Sequence, residues 1–287
     1  MTRLRIAPLL ECRTLAKIHA SRRSRFFLTS PQTLRRRLPG RTFRCLARRG
    51  KYLVATLDDA SRLVLHLGMT GQLFSSEAAS PRLLSATGRA ALAPDEQRHF
   101  RPDAHTHLRL GFTDGGPEVL FRDVRKFGKI LLLRPGQRSE RLDRLGIEAL
   151  ELSGQELFRA TRGRKVAIKS LLLDQSVVAG TGNIYSDEAL FLAGVRPTRR
   201  AGRITRRECD RISEEIKRVM QRSIETGGSS ISDFVAPDGR DGGYQDERRV
   251  YARKGEPCHR CGGRIRRVVI GQRSTHYCPG CQGSSRC

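Results

Sequence analysis

Apolar and polar positions alternate through much of the first half of the chain. Leu63, Leu65, Leu67 and Met69 alternate onto one face of an extended segment, as in a half-buried strand. The segments rich in β-forming residues are 42–59, 62–74, 105–112 and 118–133. A Thr-Asp-Gly-Gly turn separates the last two, as in a hairpin. Residues 1 to about 147 are therefore predicted to form an antiparallel β-sandwich, with a long loop between Ser75 and Asp103.

The period changes to that of helices after a plausible linker at residues 146–154. Apolar positions then recur every three or four residues, at Cys209, Ile212, Ile216 and Val219. Thr205 and Glu208 have the spacing of a capping box, and Gly227-Gly228 is a helix stop. A long helix is predicted between these signals.

Two shorter helices are predicted on either side of the turn Gly180–Asn183. Their apolar positions are Ile168, Leu171 and Leu172 in the first and Ile184, Leu190 and Leu192 in the second. The two glycines permit a tight turn and Asn183 suits a helix N-cap, so backbone N–H groups and the positive end of the helix dipole would face outward. The basic residues upstream are Arg162, Arg164, Lys165 and Lys169. This pattern favours a site for nucleic-acid phosphate, although an ordinary helical hairpin with a glycine turn explains the segment equally well.

Composition narrows the choice of partner. Lysine and arginine number 55 against 29 acidic residues, a formal charge of +26, and the basic residues are spread among the apolar runs. Such an excess favours a polyanion over an acidic small molecule as the partner. The 287 residues suffice for two domains and a small module. Neither an apolar run of roughly 20 residues nor a secretory signal is visible, so a cytoplasmic location is expected.

Four of the eight cysteines form two C-x-x-C pairs, Cys258 with Cys261 and Cys278 with Cys281. Four thiolates at two tight knuckles suit one tetrahedral zinc ion, and a shell closed by four sulfurs makes the metal structural. The residues between the pairs predict a hairpin with Gly271–Ser274 at its tip, which would present Arg273. A redox dithiol pair is the alternative.

The other cysteines and the nearby histidines do not alter the prediction of one zinc site. Cys12, Cys45, Cys209 and Cys287 stand apart and predict separate thiols rather than a disulfide framework. His259 and His276 could replace a cysteine as zinc ligands, but the four cysteines suffice.

Several motifs now converge on one family. They are RRGKYL (48–53), HLGMTGQL (66–73), HTHLRL (105–110), RDVRKFG (122–128), AIKSLLLDQ (167–175), GTGNIYSDEALF (180–191), GGSSISDF (227–234) and VYARKGEPC (250–258) followed by the second knuckle. Their order and spacing resemble the bacterial formamidopyrimidine-DNA glycosylases and, more loosely, endonuclease VIII. The resemblance covers nearly the whole chain from Ile6 onward.

The resemblance implies an α+β multidomain fold that grips DNA between its halves. The expected parts are an N-terminal antiparallel β-sandwich (1–147), a helix–two-turn–helix domain (148–243) and a zinc-finger β-hairpin (249–287). The implied activity is base-excision repair: a glycosylase and abasic-site lyase that removes 8-oxoguanine and formamidopyrimidine by base flipping and Schiff-base chemistry. The implied partner is double-stranded DNA with oxidised or abasic nucleotides, bound by a monomer in the bacterial cytoplasm and nucleoid. One structural zinc is the implied cofactor.

The resemblance also assigns roles to single residues. Asn183 matches the phosphate-gripping turn, and Arg273 matches the fingertip arginine that holds a phosphate and assists δ-elimination. Lys51 matches the lysine of the RRGKYL strand, credited with β-elimination and a phosphate contact. His105, Arg125 and Arg164 match DNA-contacting positions, the last more often lysine in the family. Lys169 joins the predicted DNA contacts as one of the basic residues before the turn.

Met69, Arg125 and Phe127 match the three residues that fill the space left by an everted nucleotide; we call them the gap-filling trio. A base must leave the stack to be excised, and apolar side chains with a guanidinium can replace the lost stacking and pairing. Phe127 lies between Lys126 and Gly128, an unusual place for a core aromatic. The loop that caps the flipped base is expected near residues 229–245, without indicating which lesion is preferred.

The start of the chain departs from the family pattern. There an N-terminal proline, exposed by removal of the initiator methionine, attacks the sugar and the next glutamate handles protons. Aligned by RIAPLLECRTL, Met1 falls inside the family's start, so that the family's Pro-Glu-Leu-Pro-Glu opening is missing. Pro8 does not replace the proline because its nitrogen is an amide. Glu11 does not replace the glutamate either.

Three explanations are open for this departure. The native protein starts upstream and carries the proline, or it is a non-catalytic binder of damaged or abasic DNA, or the α-amine of Thr2 serves as the nucleophile. We expect the first, and we expect the chain as given to bind DNA with little glycosylase activity.

Overall fold

The computed structural model describes residues 1–22, 25–78, 100–229 and 241–283. The described chain divides into two compact units. The first comprises Met1–Ser139 and Thr226–Gln245, and the second comprises Glu140–Glu225 and Asp246–Cys287. Most of the predicted 75–103 loop and of the expected base-capping loop, together with Cys287, lies outside the described residues.

The alternating segments of the first unit form two four-stranded antiparallel sheets. The strands are β1 (Leu15–Ala20), β2 (Phe43–Arg49), β3 (Tyr52–Leu57), β4 (Arg62–His66), β5 (Gly71–Ser75), β6 (Thr106–Phe112), β7 (Val119–Asp123) and β8 (Lys129–Leu133). One sheet has the order β1-β6-β7-β5 and the other β2-β3-β4-β8. Leu63 and Leu65 of the second sheet share one buried core with Leu108 and Phe121 of the first, which confirms the predicted sandwich.

Two helices complete the first unit, α1 (Thr2–Leu10) and α2 (Pro31–Arg37). The strand-dominated prediction did not include α1. Ile6 and Leu10 are four residues apart, so a helix places both on one face, and both are buried in the sandwich core. Pro8 lies inside this helix, as expected of a mid-chain residue.

The second unit is helical apart from short strands. Its helices are α3 (Glu140–Asp143), α4 (Gly154–Thr161), α5 (Ile168–Leu173), α6 (Asn183–Leu192) and α7 (Arg206–Glu225). Strand β9 (Ile147–Glu148) pairs in parallel with β10 (Val178–Ala179), and β11 (Arg266–Ile270) pairs with β12 (Arg273–Tyr277). Single 3-10 turns span Ala201–Arg203 and Tyr244–Glu247.

The predicted capping box at the start of α7 is confirmed. The Glu208 N–H donates to Thr205 Oγ1 at 3.2 Å, and the Thr205 N–H donates to Glu208 Oε2 at 2.9 Å. The helix ends before Gly227, which has φ +80°. A second capping box, Ser153 with Glu156, was missed although it has the same spacing.

The segment predicted as a linker is ordered structure. Residues 146–154 contain β9 and the N-cap of α4, and Ala149 and Leu152 are buried in the helical core. The units divide between Ser139 and Glu140. Within the described ranges no helix is long and apolar enough to cross a membrane.

Candidate zinc site and nucleic-acid interface

The four paired cysteines lie together in the second unit, with all four Sγ atoms within 4.8 Å of one another. Cys258 Sγ lies 3.8 Å from Cys281 Sγ, and Cys261 Sγ lies 3.4 Å from Cys278 Sγ. Zinc–thiolate bonds of about 2.3 Å in a tetrahedron place neighbouring sulfurs roughly 3.8 Å apart. The cluster therefore has the size of a four-cysteine zinc site.

Two of the cysteine sulfurs also accept hydrogen bonds from backbone N–H groups. The Arg260 N–H donates to Cys258 Sγ, and the Cys281 N–H donates to Cys278 Sγ, each at 3.4 Å. Burial raises the pKa of Cys258, but the hydrogen bonds from Arg260 and Cys261 outweigh it and bring the pKa to about 7, whereas burial and the neighbouring sulfurs raise the pKa of Cys278 and of Cys281. The fit to one structural zinc ion therefore rests on the number and spacing of the four sulfurs. Neither His259 nor His276 is needed.

The cysteines outside this cluster behave as separate thiols. Cys12 and Cys45 are exposed, and Cys209 is buried in the helical core, where burial raises the pKa of its thiol to about 11. None of the described cysteines is in a disulfide.

The hairpin that follows the first knuckle presents Arg273. Strands β11 and β12 are joined by Gly271 and Gln272, whose φ values are +53° and +60°. Two consecutive positive φ values are those of a type I′ turn, the tight turn that suits the twist of a hairpin. Ile270 pairs with Arg273, so the arginine is the first residue after the turn and its side chain is exposed. The predicted position at the tip is confirmed, whereas its phosphate contact remains a prediction.

The turn before α6 is held by a side chain that the sequence analysis missed. Gln175 Nε2 donates to the Leu173 and Thr181 carbonyls at 2.9 and 3.1 Å, and Gln175 Oε1 accepts from the Gly180 N–H at 3.0 Å. The residue lies in the AIKSLLLDQ motif, where its amide was the available signal.

Asn183 does not cap α6. Gly182 is the N-cap, and Asn183 is the first helical residue. The Asn183 side chain instead donates from Nδ2 to the Ser274 carbonyl at 3.0 Å. The prediction was wrong because this amide has a tertiary partner on the hairpin, which links the turn to the strand that begins with Arg273.

Lys169 is not a surface contact for DNA. Its side chain has no exposure, and its Nζ lies 2.6 Å from Asp187 Oδ1. It also donates to Thr275 Oγ1 at 2.8 Å and to the Ser274 carbonyl at 3.1 Å. Lys169 was predicted to contact DNA because it is one of the basic residues before the turn, but its buried partners instead connect α5 to α6 and to the hairpin. Arg164, by contrast, is exposed as expected.

A buried carboxylate anchors the segment that enters the zinc finger. Glu188 of α6 accepts hydrogen bonds from the N–H groups of Arg249, Val250 and Tyr251, at 2.8 to 3.0 Å. Burial raises the pKa of this carboxyl, and the three N–H donors oppose the rise. Glu188 was not singled out from the sequence because nothing local distinguishes it from a surface glutamate.

In the first unit, Lys51 occupies a turn rather than a strand. Arg49 of β2 pairs with Tyr52 of β3, so Gly50 and Lys51 form the two-residue connection, with φ +55° at Gly50. The Lys51 side chain is exposed at the tip of this hairpin. A lysine there can reach a ligand that approaches the end of the sheet.

The gap-filling trio lies on two neighbouring turns of the first unit. Met69 and Phe127 are 52% and 49% exposed, which is unusual for apolar side chains of this size. The Arg125 guanidinium carbon lies 5.5 Å from the centre of the Phe127 ring. His105 is half-buried just before β6, and its carbonyl accepts from the Asp123 N–H at 2.9 Å. The structure therefore brings Met69, Arg125 and Phe127 together; their predicted role is untested.

The α-amine of Met1 lies among arginines. Burial lowers its pKa, and Arg48, Arg3 and Arg5 lower it further. Glu11, at the end of α1, is occupied elsewhere, since its Oε1 accepts from the Leu46 N–H at 2.6 Å. Glu11 therefore has a structural partner in β2.

The fingertip strand that begins with Arg273 is hydrogen-bonded through Ser274 to Asn183 of the turn before α6, and the chain has a formal charge of +26, a combination that suits a polyanion such as nucleic acid. The fold and the site thus define a zinc-containing nucleic-acid-binding protein. Three models of protein families match the chain. The N-terminal domain of formamidopyrimidine-DNA glycosylase matches residues 1–130, the helix–two-turn–helix domain of the same enzyme matches 145–235, and the zinc finger found in that enzyme and isoleucyl-tRNA synthetase matches 255–283.

Whole-chain comparisons agree with these matches. The formamidopyrimidine-DNA glycosylase of Ectopseudomonas mendocina is 39% identical over 283 residues, 98% of this chain and 96% of the relative. That of Cupriavidus pinatubonensis is 42% identical over 265 residues, 87% of this chain and 86% of the relative. The chain belongs to the formamidopyrimidine-DNA glycosylase family.

Solved structures show the same fold over nearly the whole length. The MutM (Fpg) protein of Thermus thermophilus superposes with a TM-score of 0.82 at 34% identity, covering 99% of this chain and 97% of that one. The Fpg of Lactococcus lactis in complex with DNA containing an abasic site gives 0.82 at 30% identity, with the same coverage. The predicted α+β architecture of antiparallel sheets, helical domain and zinc-finger hairpin is confirmed.

Proposed function

We propose that this protein, a DNA glycosylase of base-excision repair, excises oxidised purines such as 8-oxoguanine and formamidopyrimidine and then cleaves the abasic site as a lyase. The observation that carries the proposal is the pair of exposed apolar tips, Met69 and Phe127, with the Arg125 guanidinium carbon 5.5 Å from the centre of the Phe127 ring. Exposed apolar groups beside a cation are costly on an isolated protein but suit a vacated position in a base stack.

The relatives support this substrate class. Solved structures of the Lactococcus lactis protein contain DNA with an abasic site or with Fapy-dG. A formal charge of +26 supplies the attraction for the DNA backbone. We therefore propose a damaged or abasic duplex as the partner of this chain, bound by a monomer. Arg273, Arg164 and Asn183 are the proposed phosphate contacts in the second unit, and Lys51 and His105 those in the first.

The proposed chemistry begins at an N-terminal secondary amine. Its nitrogen lone pair attacks C1′ of the sugar, the glycosidic bond breaks with its electron pair leaving on the protonated base, and ring opening yields an iminium. Loss of a C2′ proton then expels the 3′ phosphate, and a second elimination expels the 5′ phosphate. Lys51 is the proposed assistant of the first elimination and Arg273 of the second.

Borohydride trapping on an 8-oxoguanine duplex tests the proposal, because reduction converts the iminium into a stable amine link. Two forms should be compared with the chain beginning at Met1: one preceded by the Pro-Glu-Leu-Pro-Glu opening of the family, and the same form with a methionine retained before the proline. We expect a covalent adduct and base release only with the free proline. The retained methionine makes that nitrogen an amide, so it is a matched control.

Two other outcomes would change the proposal. An adduct formed equally by the chain beginning at Met1 would show that a primary α-amine suffices. Lesion-selective binding with no adduct from any form would instead favour a non-catalytic binder of damaged DNA.

A further inference from the structure

We propose that Asp123 is a positioning residue for the gap-filling trio: its buried carboxylate joins the two turns that carry Met69 and Phe127, so that the trio meets the duplex as one preformed wedge. The inference rests on the proposed function, because it concerns how that function is prepared in the free protein. All residues involved belong to the first unit.

The carboxylate has one partner on each turn. Asp123 is fully buried at the end of β7. Its Oδ1 accepts from the hydroxyl of Thr70 at 2.5 Å, and Thr70 is the residue after Met69. Its Oδ2 accepts from the N–H of Gly128 at 2.6 Å, and Gly128 is the residue after Phe127. A single side chain therefore holds the position next to each exposed tip.

The backbone of Asp123 is fixed independently of those two bonds. Its carbonyl accepts from Nε2 of the buried His107 at 3.0 Å. The other ring nitrogen, Nδ1, lies 3.1 Å from the Ser21 hydroxyl of the adjoining segment. These contacts attach the carboxylate to the rigid sheet, so it can serve as a fixed point for the turns.

The two turns also touch each other through their backbones. A Cβ atom added to Gly68, which has φ +67°, would lie 2.7 Å from the carbonyl carbon of Phe127 and 2.8 Å from the Gly128 nitrogen. A Cβ added to Gly128 would lie 2.9 Å from the His66 carbonyl oxygen. Such close approach leaves no room for either turn to shift alone. Met69 and Phe127 are about half exposed, and the polar link and this backbone contact fix the backbone beside each of them.

Preorganisation is what such a link would contribute. A side chain that is already ordered before insertion loses less conformational freedom on binding. Weakening the link should therefore reduce insertion into the duplex while leaving phosphate contacts on other parts of the chain unchanged. This separates a positioning role from a general loss of folding or of DNA affinity.

The variants should be Thr70→Val and Thr70→Ser in the full chain. The first removes the hydroxyl and keeps the shape, whereas the second restores the hydroxyl. Thr29→Val is the matched control, because it also removes a hydrogen-bonded threonine hydroxyl of the same unit, one that accepts from the Leu132 N–H at 2.8 Å and donates to the Leu132 carbonyl at 3.4 Å, away from both turns. Asp123→Asn completes the set and is judged by amide exchange, which needs no DNA.

The probe is a duplex with a tetrahydrofuran abasic analogue and 2-aminopurine opposite it, whose fluorescence responds to insertion. At saturating protein we expect Thr70→Val to lower the fluorescence change by roughly twofold or more, and Thr70→Ser and Thr29→Val to match the parent. Affinity for undamaged duplex should be the same in the parent, Thr70→Val, Thr70→Ser and Thr29→Val. In free Asp123→Asn, the Gly128 amide should exchange faster than in the parent.

Each failure has a distinct meaning. A full fluorescence change with Thr70→Val, or an unaltered Gly128 exchange rate in Asp123→Asn, would overturn the positioning role. A parent protein that gives no fluorescence change and no preference for the analogue would overturn the proposed function itself.

Discussion

Lys169 and Asp187 form an ion pair in which neither side chain is exposed, with Nζ 2.6 Å from Oδ1. The pair joins α5 to α6, and each partner also reaches β12 of the hairpin. Lys169 bonds to Thr275, while Asp187 Oδ2 accepts from the His276 N–H at 2.8 Å. Burial lowers the pKa of Lys169, and the Asp187 charge opposes that change. The turn before α6 and the tip of the hairpin are thereby built on one buried polar cluster.

Breaking this pair should destabilise the protein strongly. Lys169→Met leaves the Asp187 carboxylate buried without its cation, a change that costs about 3–5 kcal/mol in comparable sites. The double variant Lys169→Met with Asp187→Leu should lose less, since no charge is left unpaired. Urea unfolding of the parent, the two single variants and the double variant measures these losses of stability. A double variant as unstable as Lys169→Met, or less stable than it, would contradict the interpretation.

Zinc should be stoichiometric and structural. We expect one zinc per chain, and Cys261→Ser should abolish high-affinity zinc binding and with it binding to duplex DNA, because the Arg273 hairpin loses its closure. Cys45→Ser, at an exposed cysteine outside the cluster, is the control and should keep both. Metal analysis after dialysis against a chelator and a DNA-binding titration provide the measurements. Full DNA affinity in a zinc-free protein would refute this role.

Arg273→Ala should weaken DNA binding with zinc retained. Loss of one phosphate contact should reduce the slope of log affinity against log salt by about one. Arg266→Ala removes an equally exposed arginine at the other end of the same hairpin and should leave the slope unchanged. Identical salt slopes for the two variants would show that the fingertip does not hold a phosphate.

The stability of the protein should fall in mild acid partly because of His107. Burial lowers its pKa from the ordinary value of 6.5, and the Asp123 carbonyl only partly offsets this. Between the folded pKa and 6.5, the unfolded chain binds more protons than the folded one, so stability rises with pH across that window. His107→Gln should flatten this dependence, and His19→Gln, at an exposed histidine, should not. Urea unfolding at several pH values between 5 and 8 is the measurement; an unchanged slope in His107→Gln would refute it.

The features that could be predicted from the sequence depend on residues that are close together in the chain. The α7 capping box requires two residues three apart, and the zinc site requires two tight knuckles. Alternation along β4 and the exposed position of Phe127 follow in the same way from near neighbours. These features emerged as expected because the interactions that form them are local.

The errors share the opposite cause. Lys169 was taken for a DNA contact because its true partners lie 18 residues away at Asp187 and 106 away at Thr275. Asn183 was taken for a cap because its true partner, the Ser274 carbonyl, is 91 residues away. Asp123 lies in the motif RDVRKFG but was assigned no role of its own, although its carboxylate bonds to two turns. Such roles depend on tertiary contacts that neither period nor composition records.

The most direct test of the account is a binding competition at physiological salt between an intact duplex and the same duplex carrying a tetrahydrofuran abasic analogue. A protein that everts a nucleotide and fills its place should prefer the analogue by roughly tenfold or more, equivalent to at least ~1.4 kcal/mol. Equal affinity for the two duplexes would contradict the central claim that this chain is built to recognise damaged DNA.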